Sequence, residues 1–116
     1  MAEQISSKSY IPMTETAFYI LLALSVPRHG YGIAKFVSEL TNDRVRLGSG
    51  TIYGTLTKMQ RDDIIRVFDD SDKKIVYEIT EKGREILLSE IERIKLLYSD
   101  AVSMEKLFLK ENRSDG

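Results

Sequence analysis

The stretch SGTIYGTLTKMQR (49–61), followed two residues later by IIRVF (64–68), decides how this chain reads. Ile52, Leu56 and Met59 stand at i, i+4 and i+7, one face of a helix. Ser49 is a good N-cap, so the helix is expected to run from Gly50 to about Arg61. Gly54 sits in mid-helix, where glycine costs about 0.5–1 kcal/mol relative to alanine, and either close approach by another surface or tight packing would account for it. Ile64–Phe68 is β-branched and apolar, residues 69–73 form a turn, and residues 74–79 return as a second strand. The turn lacks glycine, so a loop longer than two residues is expected.

Working outward, Pro12, Thr14 and Glu15 mark a helix start, with Thr14 as cap and Glu15 at the positive end of the dipole. Ala17, Phe18, Ile20, Leu21, Leu22 and Leu24 make that helix apolar on most sides, hence central, and Pro27 ends it. His29-Gly30-Tyr31-Gly32 reads as a turn, and Ile33, Phe36, Val37 and Leu40 as a short amphipathic helix. Residues 41–48 are a polar, basic connection. Thr80 caps a final helix opening with Glu81, whose apolar pattern outlasts the others. Leu87, Ile94, Ala101 and Phe108 recur every seven residues, joined by Ile91, Leu97, Tyr98 and Met104. That is a coiled-coil-like seam with nothing else in a short chain to cover it, so it is assigned to a dimer interface.

The expected organisation is an N-terminal arm (1–13), with Tyr10 and Ile11 folded back on the body, then a DNA-binding unit (14–80). A dimerisation helix (81–110) and a loose tail (111–116) follow. The fold class is mostly α with a β-hairpin wing, the winged helix-turn-helix arrangement.

Composition narrows the chemistry. The 116 residues contain no cysteine, which excludes disulfides and thiolate sites, and one histidine, too few for a usual zinc site. No apolar run approaches the roughly 20 residues that span a bilayer, and the first residues carry Glu3 and no apolar core, so no secretion signal and a cytoplasmic location are expected. Glu81, Glu85, Glu90 and Glu92 read as helix-surface carboxylates without a partnering base, so catalysis is not expected, nor any metal or cofactor. The 17 basic and 18 acidic residues nearly cancel. Residues 28–66, however, hold seven basic against four acidic side chains, a local excess suited to phosphates.

A helix fits the major groove, with small hydroxylated residues at its start able to approach base edges. Ser49, Thr51 and Thr55 are assigned to that role, both threonines exposed on the outer face. Lys58, Arg44, Arg46 and the wing-tip pair Lys73 and Lys74 are assigned to phosphates. Tyr53 stands between packing under the helix and touching a phosphate. Tyr31 and Tyr77 read as core aromatics, His29 as a turn or packing residue, and Gly83 and Arg84 as shaping the last helix. The partners are therefore double-stranded DNA with a two-fold operator and a second copy of the chain. The alternative is a winged-helix adaptor that binds protein.

Three segments, Arg28–Ile33 (RHGYGI), Gly50–Leu56 (GTIYGTL) and Val76–Arg84 (VYEITEKGR), resemble in order and spacing the three signatures of PadR-like transcriptional regulators. The resemblance spans about residues 14 to 108. It implies a dimer that binds operator DNA near its own or transporter genes and that, in several relatives, lets go on binding a small aromatic or drug-like molecule; the role expected here is that of a repressor. A dimer would enclose an apolar space lined by Tyr98, Met104 and Phe108 with Phe18 or Tyr19, although no tryptophan is present to stack on a flat ligand. Two positions depart from the family pattern. Gly54 replaces the usual proline, and Asp62 or Asp63 stands where a glycine is usual near the end of helix three. One C-terminal helix, without an added domain, resembles the compact branch of the family.

Overall fold

The structure, a computed structural model, describes residues 10–71 and 73–109. Most of the arm, Asp72 of the wing and the tail lie outside the described residues. Helix α1 (Glu15–Ala23) starts at Thr14, whose hydroxyl accepts the Ala17 N–H at 3.1 Å, and it ends before Pro27, as the sequence suggests. Next comes a two-residue strand, β1 (Arg28–His29), where a turn was expected. His29 then caps α2 (Gly30–Leu40): its Nδ1 accepts the Gly32 N–H at 3.2 Å, so the two glycines begin a helix rather than a turn.

Helix α3 (Ser49–Arg61) buries Ile52, Leu56 and Met59, the face read from the sequence. Its N-cap is Gly48, not Ser49, and no side chain accepts from its first turn, so those N–H groups and the Ser49 hydroxyl face solvent. Its C-terminus is a Schellman turn: Ile64 N–H reaches Met59 C=O at 2.8 Å and Asp63 N–H reaches Gln60 C=O at 3.1 Å. Asp63 takes φ 63°, the left-handed conformation that explains why glycine suits this position.

Strands β2 (Ile65–Asp69) and β3 (Val76–Ile79) form the wing, shorter on the return than expected. With β1 they make an antiparallel sheet of order β1-β3-β2. Arg28 lies opposite Tyr77 and His29 opposite Val76, so the start of α2 is fastened to the end of β3 nearest the wing tip. An irregularity between Val67 and Asp69 shifts the register of β2 against β3.

Helix α4 (Glu81–Glu105) opens at Thr80, whose hydroxyl accepts the Gly83 N–H at 3.0 Å while donating toward the Asp63 and Ile64 carbonyls at 2.7 and 2.9 Å. Gly83 is required by close approach: a Cβ there would overlap the Ile64 carbonyl oxygen. A short 3₁₀ turn (Lys106–Phe108) ends the described chain, so Phe108 lies just past the α-helix.

The core gathers Ile20, Leu21 and Leu24 of α1, Ile33 and Val37 of α2, the buried face of α3, Ile64, Ile65, Tyr77 and Ile86. Only the first third of α4 joins it. The radius of gyration is 17.8 Å against about 13 Å for a compact chain of this length, because the rest of α4 projects from the body.

One expected surface carboxylate is instead interior. Glu90 is 1% exposed and accepts the Arg93 Nε and Nη2 at 2.8 Å each and the Met13 backbone N–H at 3.1 Å. It lies on the same stripe as Gly83 and Ile86, the other buried positions of α4. The Arg93 hydrogen bonds hold its carboxyl below the usual carboxylate value against the opposing effect of burial. Glu90 thus latches the segment leading into α1 onto the projecting helix.

Candidate nucleic-acid interface

Helix α3 turns one face to the core and leaves the other open. Ser49, Gly50 and Thr51 are exposed in its first turn, and a Cβ at Gly50 or Gly54 would meet nothing within 4 Å. The mid-helix glycine therefore answers no packing demand from the described residues; it leaves space on the helix surface. Thr57 and Arg61, which the sequence reading passed over, stand on the same side and are also exposed. Their i, i+4 relation to Tyr53 and Thr57 respectively was the available signal.

Thr55 differs from its expected placement. It is half-buried and lines a cleft of about 330 Å³ with Tyr10, Met13, Ala17 and Gly54, because the chain before α1 crosses beside α3. Tyr10 makes that crossing specific. Its hydroxyl donates to the Asp62 carboxylate at 2.9 Å, and its ring lies 4.9 Å from the Lys58 ammonium. Lys58 also reaches Asp62 at 3.0 Å. Burial would raise the Asp62 carboxyl, but the hydrogen bonds from Lys58 and Tyr10 outweigh it and lower it. The acid at the end of α3 is thereby neutralised locally, and Lys58 faces any phosphate with part of its charge already engaged.

Other cations of the basic middle are likewise committed. Arg44 donates to the Tyr19 hydroxyl at 3.1 Å, and Arg46 lies 3.7 Å from Asp43. Arg28 donates to Ala23 C=O at 2.6 Å with its guanidinium over the Phe36 ring, and Arg66 pairs with Glu78 at 2.7 Å. Arg44 and Arg46 remain exposed and their contacts are surface pairs, worth little against a phosphate. Lys73 and Lys74 are exposed at the wing tip and make no ion pair with a described residue.

Tyr53 is 48% exposed, and its phenol covers Gly30 so closely that a Cβ there would overlap it. The residue both packs and stays partly open to solvent. Tyr77 is a core aromatic as expected, but Tyr31 is not: it is 72% exposed and stacks on His29, with ring centroids 6.3 Å apart. The signal was present, since Ile33 and Val37 define the buried face of α2 and position 31 falls opposite it.

On α4, Leu87, Ile91 and Ile94 are half-buried against the body. Beyond them Leu97, Tyr98, Ala101, Met104 and Phe108 are exposed, with Leu96, Val102 and Leu107 beside them. Among the described residues no group of three or more ligating side chains could hold a metal, and no helix is long and apolar enough to cross a membrane.

The open helix face, the wing beside it and the projecting helix set the terms for comparison with known proteins. Residues 20–89 match the transcriptional regulator PadR-like family. The chain belongs to that family. It is a family of transcriptional regulators, and the winged-helix architecture is shared with solved relatives. The protein TA0346 from Thermoplasma acidophilum is 25% identical, with a TM-score of 0.61 over 78% of this chain and 90% of its own. A PadR family transcription regulator from Clostridium difficile is 22% identical, with a TM-score of 0.60 over 83% of this chain and 100% of its own. RosR from H. salinarum shares the fold at 16% identity, with a TM-score of 0.62 over 81% of this chain and 97% of its own. A 37.1 kDa protein of transposon Tn4556 from Streptomyces fradiae is 30% identical over 61 residues, which are 53% of this chain. The match spans about a sixth (17%) of that relative's length.

Proposed function

We propose that this PadR-like chain is a cytoplasmic, sequence-specific repressor that binds a two-fold operator as a homodimer. The observation that carries the reading is the open outer face of α3, with Ser49, Gly50 and Thr51 in its first turn and the lysine-tipped wing beside it. In this reading α3 enters the major groove, Thr51 meets base edges, and Lys73, Lys74, Arg44, Arg46 and Lys58 meet phosphates. Tyr53 touches the backbone from the flank of α3, and Thr55 supports the helix from its half-buried position.

The homodimer rests on α4. Leu97 and Tyr98 are 57% and 70% exposed, and Phe108 is 76% exposed, on a helix that projects clear of its own body. A second copy is the partner whose seam matches this one by symmetry. Release by a small apolar or aromatic effector fits a cleft of about 300 Å³ between α1 and α4, lined by Phe18, Tyr19, Arg93 and Ile94, which lies where the seam begins.

Titrating a duplex at two salt concentrations tests the reading. A dimer neutralising six or more phosphates should lose about a thousandfold in affinity between 50 and 200 mM salt. Affinity that is weak and flat across that range would favour the protein-binding adaptor instead.

A further inference from the structure

A cleft of about 280 Å³ lies between the start of α2 and the wing, lined by His29, Tyr31, Tyr53, Lys73, Lys74 and Ile75. Each polar side chain in this lining offers a hydrogen-bond donor. There are two ammoniums, two phenols and an imidazole. The imidazole Nδ1 is occupied in accepting the Gly32 N–H, which places the ring proton on Nε2 as a further donor. No carboxylate stands among these residues. Tyr31 gains little from packing at 72% exposure, yet its ring is held nearly parallel to His29, with 16° between planes. The pairing of His29 with Val76 ties the two walls together, so their separation is set by the sheet rather than by side-chain choice.

A pocket whose described lining offers donors and no acid is complementary to an anion that accepts on several sides. We propose that this cleft seats one phosphodiester of the bound duplex, with His29 and Tyr31 contacting it from α2 and Lys73 and Lys74 from the wing. The inference rests on the DNA-binding reading above and adds to it that wing and α2 grip the same phosphate. The wing is then not an independent arm along the backbone. Its lysines and the His29–Tyr31 pair act as one unit, and the losses from removing them should not multiply.

The test uses the full chain and a duplex it binds, with Tyr31→Phe, His29→Asn, the Lys73→Ala/Lys74→Ala pair, and Tyr31→Phe combined with that pair. Asparagine can still cap α2, so His29→Asn removes the Nε2 donor while keeping the acceptor. Tyr31→Phe removes one exposed hydroxyl and is expected to leave the melting temperature unchanged. It should weaken binding about three- to tenfold, equally on preferred and scrambled duplexes, as loss of a backbone contact does. Combined with the lysine pair, the loss should fall short of the product of the separate losses by about threefold or more. Unchanged affinity in Tyr31→Phe and His29→Asn, or losses that multiply fully, would overturn the shared seat while leaving DNA binding intact. Inorganic phosphate should compete no better than chloride at equal ionic strength; stronger competition would assign the cleft to a free phosphate compound instead. Absence of duplex binding by the unaltered protein would remove the DNA reading itself, and this inference with it.

Discussion

Replacing Glu90 with alanine should unfasten the DNA-reading unit from the projecting helix. The carboxylate is 1% exposed and accepts three hydrogen bonds, two from Arg93 at 2.8 Å and one from Met13 N–H at 3.1 Å. Bonds to charged groups are worth about 1.5–3 kcal/mol each, but three on one carboxylate are not additive. The Arg93 side chain is 37% exposed and recovers water when its partner goes, so its share is the smaller. The loss should be about 2–3 kcal/mol, or roughly 8–12 °C in melting temperature for a chain of this size. Glu90→Gln keeps the shape and an acceptor but not the charge, and should lose about half as much. The pH dependence has a definite sign. Arg93 holds the folded-state carboxyl below its ordinary value of 4.5, so the stabilisation is present above that value and fades as pH falls through the lower folded one. Urea unfolding followed by circular dichroism, at one protein concentration because association shifts apparent stability, measures both effects. A Glu90→Ala chain within about 0.5 kcal/mol of the parent at pH 7 would refute the latch, since that is the scatter of ordinary surface substitutions. So would a difference between parent and Glu90→Gln that persists unchanged into acid.

Three other outcomes follow from the same geometry. Gly83→Ala should cost about 2–3 kcal/mol in urea unfolding, since its Cβ would press on the Ile64 carbonyl oxygen, a backbone atom that cannot swing aside. Leu97→Glu with Met104→Glu should convert a dimer to a folded monomer in light scattering, because both side chains are exposed within one chain; an unchanged dimer mass would contradict the seam. Thr51→Ala should cost on the order of 1 kcal/mol on the preferred duplex, little on random DNA and nothing in stability, whereas half-buried Thr55→Ala should also lower the melting temperature.

The elements that carry a period or a cap were legible in the sequence. Ile52, Leu56 and Met59 gave the buried face of α3, and Thr14 and Thr80 gave two helix starts, because each signal depends on neighbours three or four residues away. What escaped was set by distant partners. Strand β1 is two residues long and exists because β3 lies beside it, so Arg28 and His29 carry no strand pattern of their own. Glu90 reads as a surface acid until Met13, 77 residues away, is seen to donate to it. Thr55 lost its open placement to Tyr10, which no helical period connects to α3. Tyr31 is a different kind of miss, since the α2 period alone places it on the outside. The basic middle of the chain was read as charge, and the structure shows much of it engaged: Arg28, Arg44, Arg66 and Lys58 each have a near partner.

The central claim is that paired copies of α3 read DNA sequence. Repeated selection of bound duplexes from a random pool tests it most directly. The expected result is an enriched inverted repeat whose half-sites lie about 10 base pairs apart, one helical turn, bound at least a thousandfold more tightly than a scrambled duplex. A pool that stays random while the protein remains folded, or a single unrepeated site bound by a monomer, would contradict it.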